Sequence, residues 1–112
     1  MQIKTLVEDK FYIIQIFGDV DASSSIILDQ AVESAITEQR KWIIVDGSNI
    51  DYISSAGLGV FMSYIENFKE KHIRFALFGL TPKVHNVFEI LGLDKLITIV
   101  ASKAQAKATI NS

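Results

Sequence analysis

Four consecutive apolar residues, Trp42-Ile43-Ile44-Val45, closed off by Asp46, constrain this chain more than any other segment. Such a run offers water no polar face, so it suits a central strand covered on both sides of a sheet. After it, Asp46-Gly47-Ser48-Asn49 carries turn chemistry, and Ile50 to Ile53 lead back toward the core. From Leu58 the apolar residues fall at Leu58, Phe61, Met62, Ile65 and Phe68, the stripe of a helix with one buried face. Val60 and Tyr64 lie off that stripe. Ser54 or Ser55 is the natural N-cap. A serine hydroxyl there sits beside unpaired backbone N–H groups and the positive end of the helix dipole, so a phosphate on it is locally tolerated. Gly57 and Gly59 leave the first turn without bulk, which gives another protein's loop room to approach the backbone. On this local pattern alone, a plain capping serine and a modified one are both open.

The rest of the chain alternates. Gln2 to Val7 and Phe11 to Phe17 read as two strands joined by the polar turn Glu8-Asp9-Lys10, a β-hairpin. Gly18-Asp19-Val20-Asp21 breaks the pattern, and Asp21 or Ser23 caps a helix running to about Gln39. Its buried stripe is Leu28, Ala31, Val32, Ala35 and Ile36, while Asp29 and Glu33 face out. Ile73 to Phe78 predicts another strand. Thr81-Pro82 opens a helix with the stripe Val84, Val87, Phe88 and Leu91, and Gly92 is placed for a left-handed cap at its end. Leu96 to Val100 predicts the last strand and Ser102 to Ile110 a terminal helix.

Strands alternating with helices after a hairpin imply a single α/β domain over residues 1–112. The expected sheet is mixed and mainly parallel, of about five strands, with right-handed crossovers. The segments Gly18 to Asp21, Asp46 to Ser55 and Gly79 to Pro82 would gather at the carboxyl ends of the strands, where such sheets place their functional groups.

Several chemistries drop out. There is no cysteine, and His72 and His85 lie far apart, so no metal site is assigned. A net charge of −2 without a basic cluster gives little attraction for nucleic acid or anionic lipid. The opening MQIKTLVEDK has no sustained apolar stretch and no run is long enough to span a bilayer, so a cytoplasmic location is expected. Asp46 at a strand end invites comparison with the phosphoacceptor of receiver domains. Asp19 and Asp21 come close to the acidic pair that site needs, but Phe78-Gly79-Leu80-Thr81 lacks its lysine. No Gly-x-Ser-x-Gly elbow and no Gly-Lys-Ser/Thr ending is present, and no enzyme activity is expected.

Taken together, the Gly-Asp-Val-Asp turn, IIVDGSNIDYISSAGLGVF, the strand at Phe75 to Phe78, the Pro82 helix and LGLDKLITI make a chain that resembles the STAS domain. Of that family, the free-standing anti-sigma factor antagonists are the nearer match. The resemblance implies a binding protein, without a cofactor, that sequesters an anti-sigma factor with serine-kinase activity and so releases a sigma factor. It places the phosphoacceptor on Ser55, with Ser54 the lesser candidate, and implies resetting by a PPM-type serine phosphatase. The family's aspartate before the acceptor is Ser54 here, and its following serine or threonine is Ala56. Asp19, Asp21, Ile53, Ser54, Ser55, Ala56, Gly57, Gly59 and Val60 would form the contact surface. The alternative is an unphosphorylated STAS subunit of a transporter or signalling assembly, with Ser55 only a cap.

Overall fold

The computed structural model describes residues 1–111. Five strands, β1 (Gln2–Glu8), β2 (Phe11–Val20), β3 (Trp42–Ile53), β4 (Arg74–Phe78) and β5 (Thr98–Val100), form one sheet in the order β1-β2-β3-β4-β5. β1 is antiparallel to β2, and every later pair is parallel. Four helices connect or follow them: α1 (Ser25–Thr37), α2 (Ser55–Glu70), α3 (Pro82–Ile90) and α4 (Lys103–Ile110). The mixed α/β sheet and its N-terminal hairpin are those expected from the alternation of patterns.

Residues of β2 alternate between two cores, as a strand covered on both faces must. Tyr12, Ile14, Ile16 and Val20 join Ile43, Val45 and the apolar sides of α1, α2 and α3. Phe11 and Ile13 join Ile44, Ala76 and Phe78 under Ala106 and Ile110 of α4. In the larger core Phe61 lies 5.9 Å from Phe88, and Phe68 stacks on Phe75 at 4.9 Å, both favourable aromatic separations.

Several boundaries depart from the sequence reading. Asp46 to Asn49 is not a turn: β3 runs through it unbroken to Ile53. The pairing steps from Gln15↔Asp46 to Phe17↔Asn49, then from Gly18↔Ile50 to Asp19↔Tyr52, so β3 holds one extra residue at each step. Turn-type residues are absorbed there as bulges. Asp46 still behaves as a local organiser, accepting the Ser48 N–H at 3.0 Å and hydroxyl at 2.6 Å. β2 likewise continues past Phe17 to Val20, with Gly18 at φ +97°. α1 begins at Ser25 and ends at Thr37, so neither Asp21 nor Ser23 is its N-cap. β5 starts at Thr98, because Leu93–Lys95 forms a 3₁₀ turn ahead of it.

Burial on the helices also differs from the stripe counts. Val60 and Tyr64 of α2 are buried, while Met62 is half exposed. α2 packs on α1 along its flank as well as on the sheet, which widens its buried face. Tyr64 Oη donates to the Asp29 carbonyl at 3.3 Å, and burial first, then the neighbouring Asp29 carboxylate, push its phenol up to about 12. Leu91 is exposed because α3 has ended at Ile90.

The locally coded ends hold. Thr81 Oγ1 accepts the Val84 N–H with Pro82 in the first turn, Ser102 accepts the Gln105 N–H, and Gly92 takes φ 72°. α4 is eight residues long, too short to be stable alone. It is tied to the hairpin by Glu8, which accepts from Lys107 at 2.7 Å and Lys103 at 3.0 Å. Those two hydrogen bonds, Lys107 first, hold the Glu8 carboxyl below its ordinary 4.5. A depressed carboxyl contributes stability above its unfolded value and loses it as pH falls through the folded one. In an acid titration followed by amide exchange, α4 is expected to lose protection before the central strands. Glu8→Gln is expected to show weak α4 protection already at neutral pH and no such step.

Candidate functional site

The carboxyl ends of β2 and β3 are joined by the hydrogen bond from Ser54 N–H to the Val20 carbonyl at 2.8 Å. It places Asp19, Asp21 and the start of α2 side by side. The pairs Asp19↔Tyr52 and Val20↔Ile53 lead directly into it.

Two adjacent serines have divided the work. Ser54 is the N-cap, in extended backbone at φ −87° and ψ 171°, and its hydroxyl accepts the Gly57 N–H at 3.2 Å. Its carbonyl accepts Leu58 N–H at 3.0 Å, opening the helix. Ser55 is the first helical residue, and its side chain is exposed. The first turn of α2 carries no acidic residue. An exposed oxygen at a helix start whose neighbouring N–H groups lack anionic partners is suited to carrying negative charge.

Asp21 sits across from Ser54 and is engaged locally. Its carboxylate accepts the Ser24 N–H and the hydroxyls of Ser24 and Ser23, each at 2.9 Å. The Ser24 backbone bond, then the serine hydroxyls, lower its carboxyl to about 2, so it stays ionised at any physiological pH. This builds the turn that launches α1. Asp19 is exposed beside it, with its carbonyl accepting the Ser24 hydroxyl at 3.1 Å.

Not every residue expected on the contact surface reaches it. Ser54 is half-buried, while Asp19, Asp21, Ser55 and Ala56 are exposed. Ile53 and Val60 keep 3% and 8% of their surface, and Gly57 is buried as well. Gly57 has an internal reason: a Cβ there would lie 2.8 Å from both Ile53 Cγ1 and Val20 Cγ1. Gly59 is the glycine that gives open approach, with nothing within 4 Å of a Cβ. The structure adds Ile26, 61% exposed at the start of α1, and Tyr52, 49% exposed on β3. Ile26 forms, with Ala56, Gly59 and Ser63, the walls of a shallow groove of about 310 Å³ between α1 and α2. The signal for Ile26 was present in the sequence, since it lies off the Leu28, Val32, Ala35 stripe.

Among the described residues no group of three or more His, Asp or Glu side chains is placed to hold a metal ion. His85 Nδ1 lies 3.7 Å from Glu89 on the same helix, far from Ser55 in the chain. No helix among the described residues is long and apolar enough to cross a membrane.

Comparison with known proteins gives a consistent picture. The STAS domain family model matches residues 2–106. The anti-sigma-B factor antagonist of Staphylococcus aureus is 25% identical over 99 residues, covering 88% of this chain and 92% of that protein. The protein of the same description from Listeria monocytogenes is 29% identical over 82 residues, covering 73% of this chain and 72% of its own. In fold, a putative anti-sigma factor antagonist from Thermotoga maritima superposes with a TM-score of 0.91 at 18% identity, over 98% of this chain and 95% of that one. The phosphorylated form of the Bacillus cell fate determinant SpoIIAA superposes with a TM-score of 0.73 at 19% identity, over 97% and 99%.

The two glycines of the first turn separate by experiment. Gly57→Ala is expected to destabilise the fold by about 1–3 kcal/mol through overpacking against β-branched neighbours. Gly59→Ala is expected to stabilise it by about 0.5–1 kcal/mol through helix propensity. Urea denaturation of both variants reads the opposite signs.

Proposed function

Because the chain belongs to the STAS domain family, we propose that it acts as an anti-sigma factor antagonist, a binding protein whose docking face is switched by phosphorylation of Ser55. The observation that carries this reading is the division between the serines: Ser54 is committed to the helix cap, and Ser55 presents its hydroxyl to solvent beside the Asp19–Asp21 turn. Relatives described as anti-sigma-B factor antagonists support the class of partner.

The proposed face is Asp19, Asp21, Tyr52, Ser55, Ala56 and Gly59, with Ile26 across the groove. Unmodified, the centre of that face is small and uncharged, so an anti-sigma factor seats on it and gives up its sigma factor. A phosphate on Ser55 adds about −1.5 to −2 charges at pH 7. The first-turn N–H groups of α2 and the dipole accommodate that charge within this molecule, so the fold need not change. Burying the same charge against a partner carries a desolvation cost that a modest contact does not repay. Release follows from where the charge sits. The proposed kinase is the anti-sigma factor itself, which supplies ATP, and a PPM-type serine phosphatase restores the hydroxyl.

Ser54 replaces the family's aspartate without loss of capping, because a serine hydroxyl accepts the same N–H that a carboxylate would. What the substitution removes is a fixed negative charge beside the acceptor. The contact surface before modification is correspondingly more neutral.

Incubation with the anti-sigma factor kinase and ATP is expected to add one phosphate by intact mass in wild type and in Ser54→Ala, and none in Ser55→Ala. Ser54→Ala should instead lower stability by about 1 kcal/mol as a lost cap. Ser55→Asp is expected to weaken binding to the anti-sigma factor by at least about tenfold. No phosphate on wild type, together with unaltered binding by Ser55→Asp, would transfer the assignment to a permanent subunit of a transporter or signalling assembly.

A further inference from the structure

α1, α2 and α3 all pack on one face of the sheet, and α4 packs on the other. The chain leaving β4 therefore turns toward one face and the chain leaving β5 toward the opposite face. Where neighbouring parallel strands send their connections to opposite sides, a crevice opens outside their carboxyl ends, and sheets of this kind bind small ligands there. The ends of β2 and β3, which lead to Ser55, have no such divergence, since α1 and α2 share a face.

A crevice of about 200 Å³ lies at the point of divergence. Leu80 lines it from the loop after β4, Ala101 from the loop after β5, Ile99 and Val100 from the end of β5, and His85 from α3. Its walls are held in place. Gly79 N–H donates to the Val100 carbonyl at 3.2 Å and ties the two strand exits together. Leu80 is braced against β3, where its Cδ2 takes the space that a Cβ on Gly47 would need. An apolar cavity of about 150 Å³ takes up benzene, so the volume here suits one six-membered ring.

Four aliphatic walls call for an apolar body, and His85 is the one polar side chain among the five that line the crevice. Its Nδ1 faces the Glu89 carboxylate at 3.7 Å, which places the hydrogen of the neutral ring on Nδ1 and leaves Nε2 an acceptor. An acceptor asks for a hydroxyl donor, and the carboxylate beside the ring disfavours an anionic ligand. We propose that the β4–β5 crevice binds a neutral single-ring phenol, with its ring against Leu80, Ile99 and Val100 and its hydroxyl donating to His85 Nε2. The inference goes beyond the switching reading and does not depend on it, because no residue of the crevice belongs to the Ser55 face.

Titration of the full chain with phenol and with toluene, followed by amide chemical shifts in NMR, tests it. Phenol is expected to give saturable shifts centred on Leu80, His85, Ile99 and Ala101. It is expected to bind at least about threefold more tightly than toluene, which has the same shape and no donor. His85→Phe keeps a ring in the wall and is expected to bring phenol down to the affinity of toluene. The His85 side chain is 43% exposed, so this variant should keep the wild-type circular dichroism. Ser55→Asp is expected to bind phenol as wild type does, so the result stands apart from the fate of the switching reading. Absence of saturable shifts at the crevice up to the solubility of phenol overturns the proposal. So do equal affinities of the wild type for phenol and toluene, or a phenol affinity unchanged in His85→Phe.

Discussion

Everything at the functional end rests on how far β2 and β3 stay paired. β3 is covered on both faces at Ile43, Ile44 and Val45, and its parallel pairing with β2 then continues through two inserted residues to Val20↔Ile53. The Ser54 N–H to Val20 carbonyl bond adds the last rung. Without that rung the acidic turn and the start of α2 would be two separate loops, each free to choose its own direction. With it, the exit of one strand and the entry of one helix become a single rigid corner. The packing of Val20 and Ile53 beneath Gly57 fills the corner from inside, which is why a side chain larger than hydrogen has no room there.

Local chemistry was legible in the sequence, and tertiary compensation was not. The Thr81-Pro82 start, the Ser102 cap and the Gly92 turn depend on a few neighbouring residues, and each was readable from them. The apolar run at Trp42 to Val45 likewise identified the strand that anchors both cores. The segment Asp46 to Asn49 misled because its turn preference is real, and the Asp46 to Ser48 bonds express it, while pairing with β2 holds the backbone extended all the same. Val60 and Tyr64 misled for a related reason. A stripe count assumes one buried face, whereas α2 meets a neighbouring helix on its flank.

The same distinction runs through the site. Which serine caps was open in the sequence, because both precede the same stripe; the backbone angles of Ser54 and its bond to Gly57 decide it. Of the apolar residues expected at the surface, Ile53 supports the corner from beneath and Val60, though it lines the α1–α2 groove, keeps little exposed surface, so the larger exposed apolar contribution comes from Ile26 and Tyr52. A sequence motif names a neighbourhood, and only the packing shows which of its members face outward.

α2 also acts as a spacer. At 16 residues it is roughly 24 Å long, with Ser55 at its first position and Phe68 in its last turn. That length is about three times the roughly 8 Å over which physiological salt screens charge, so a charge placed at the first turn of α2 is hardly felt at its last, and the two ends of the helix answer to their surroundings independently.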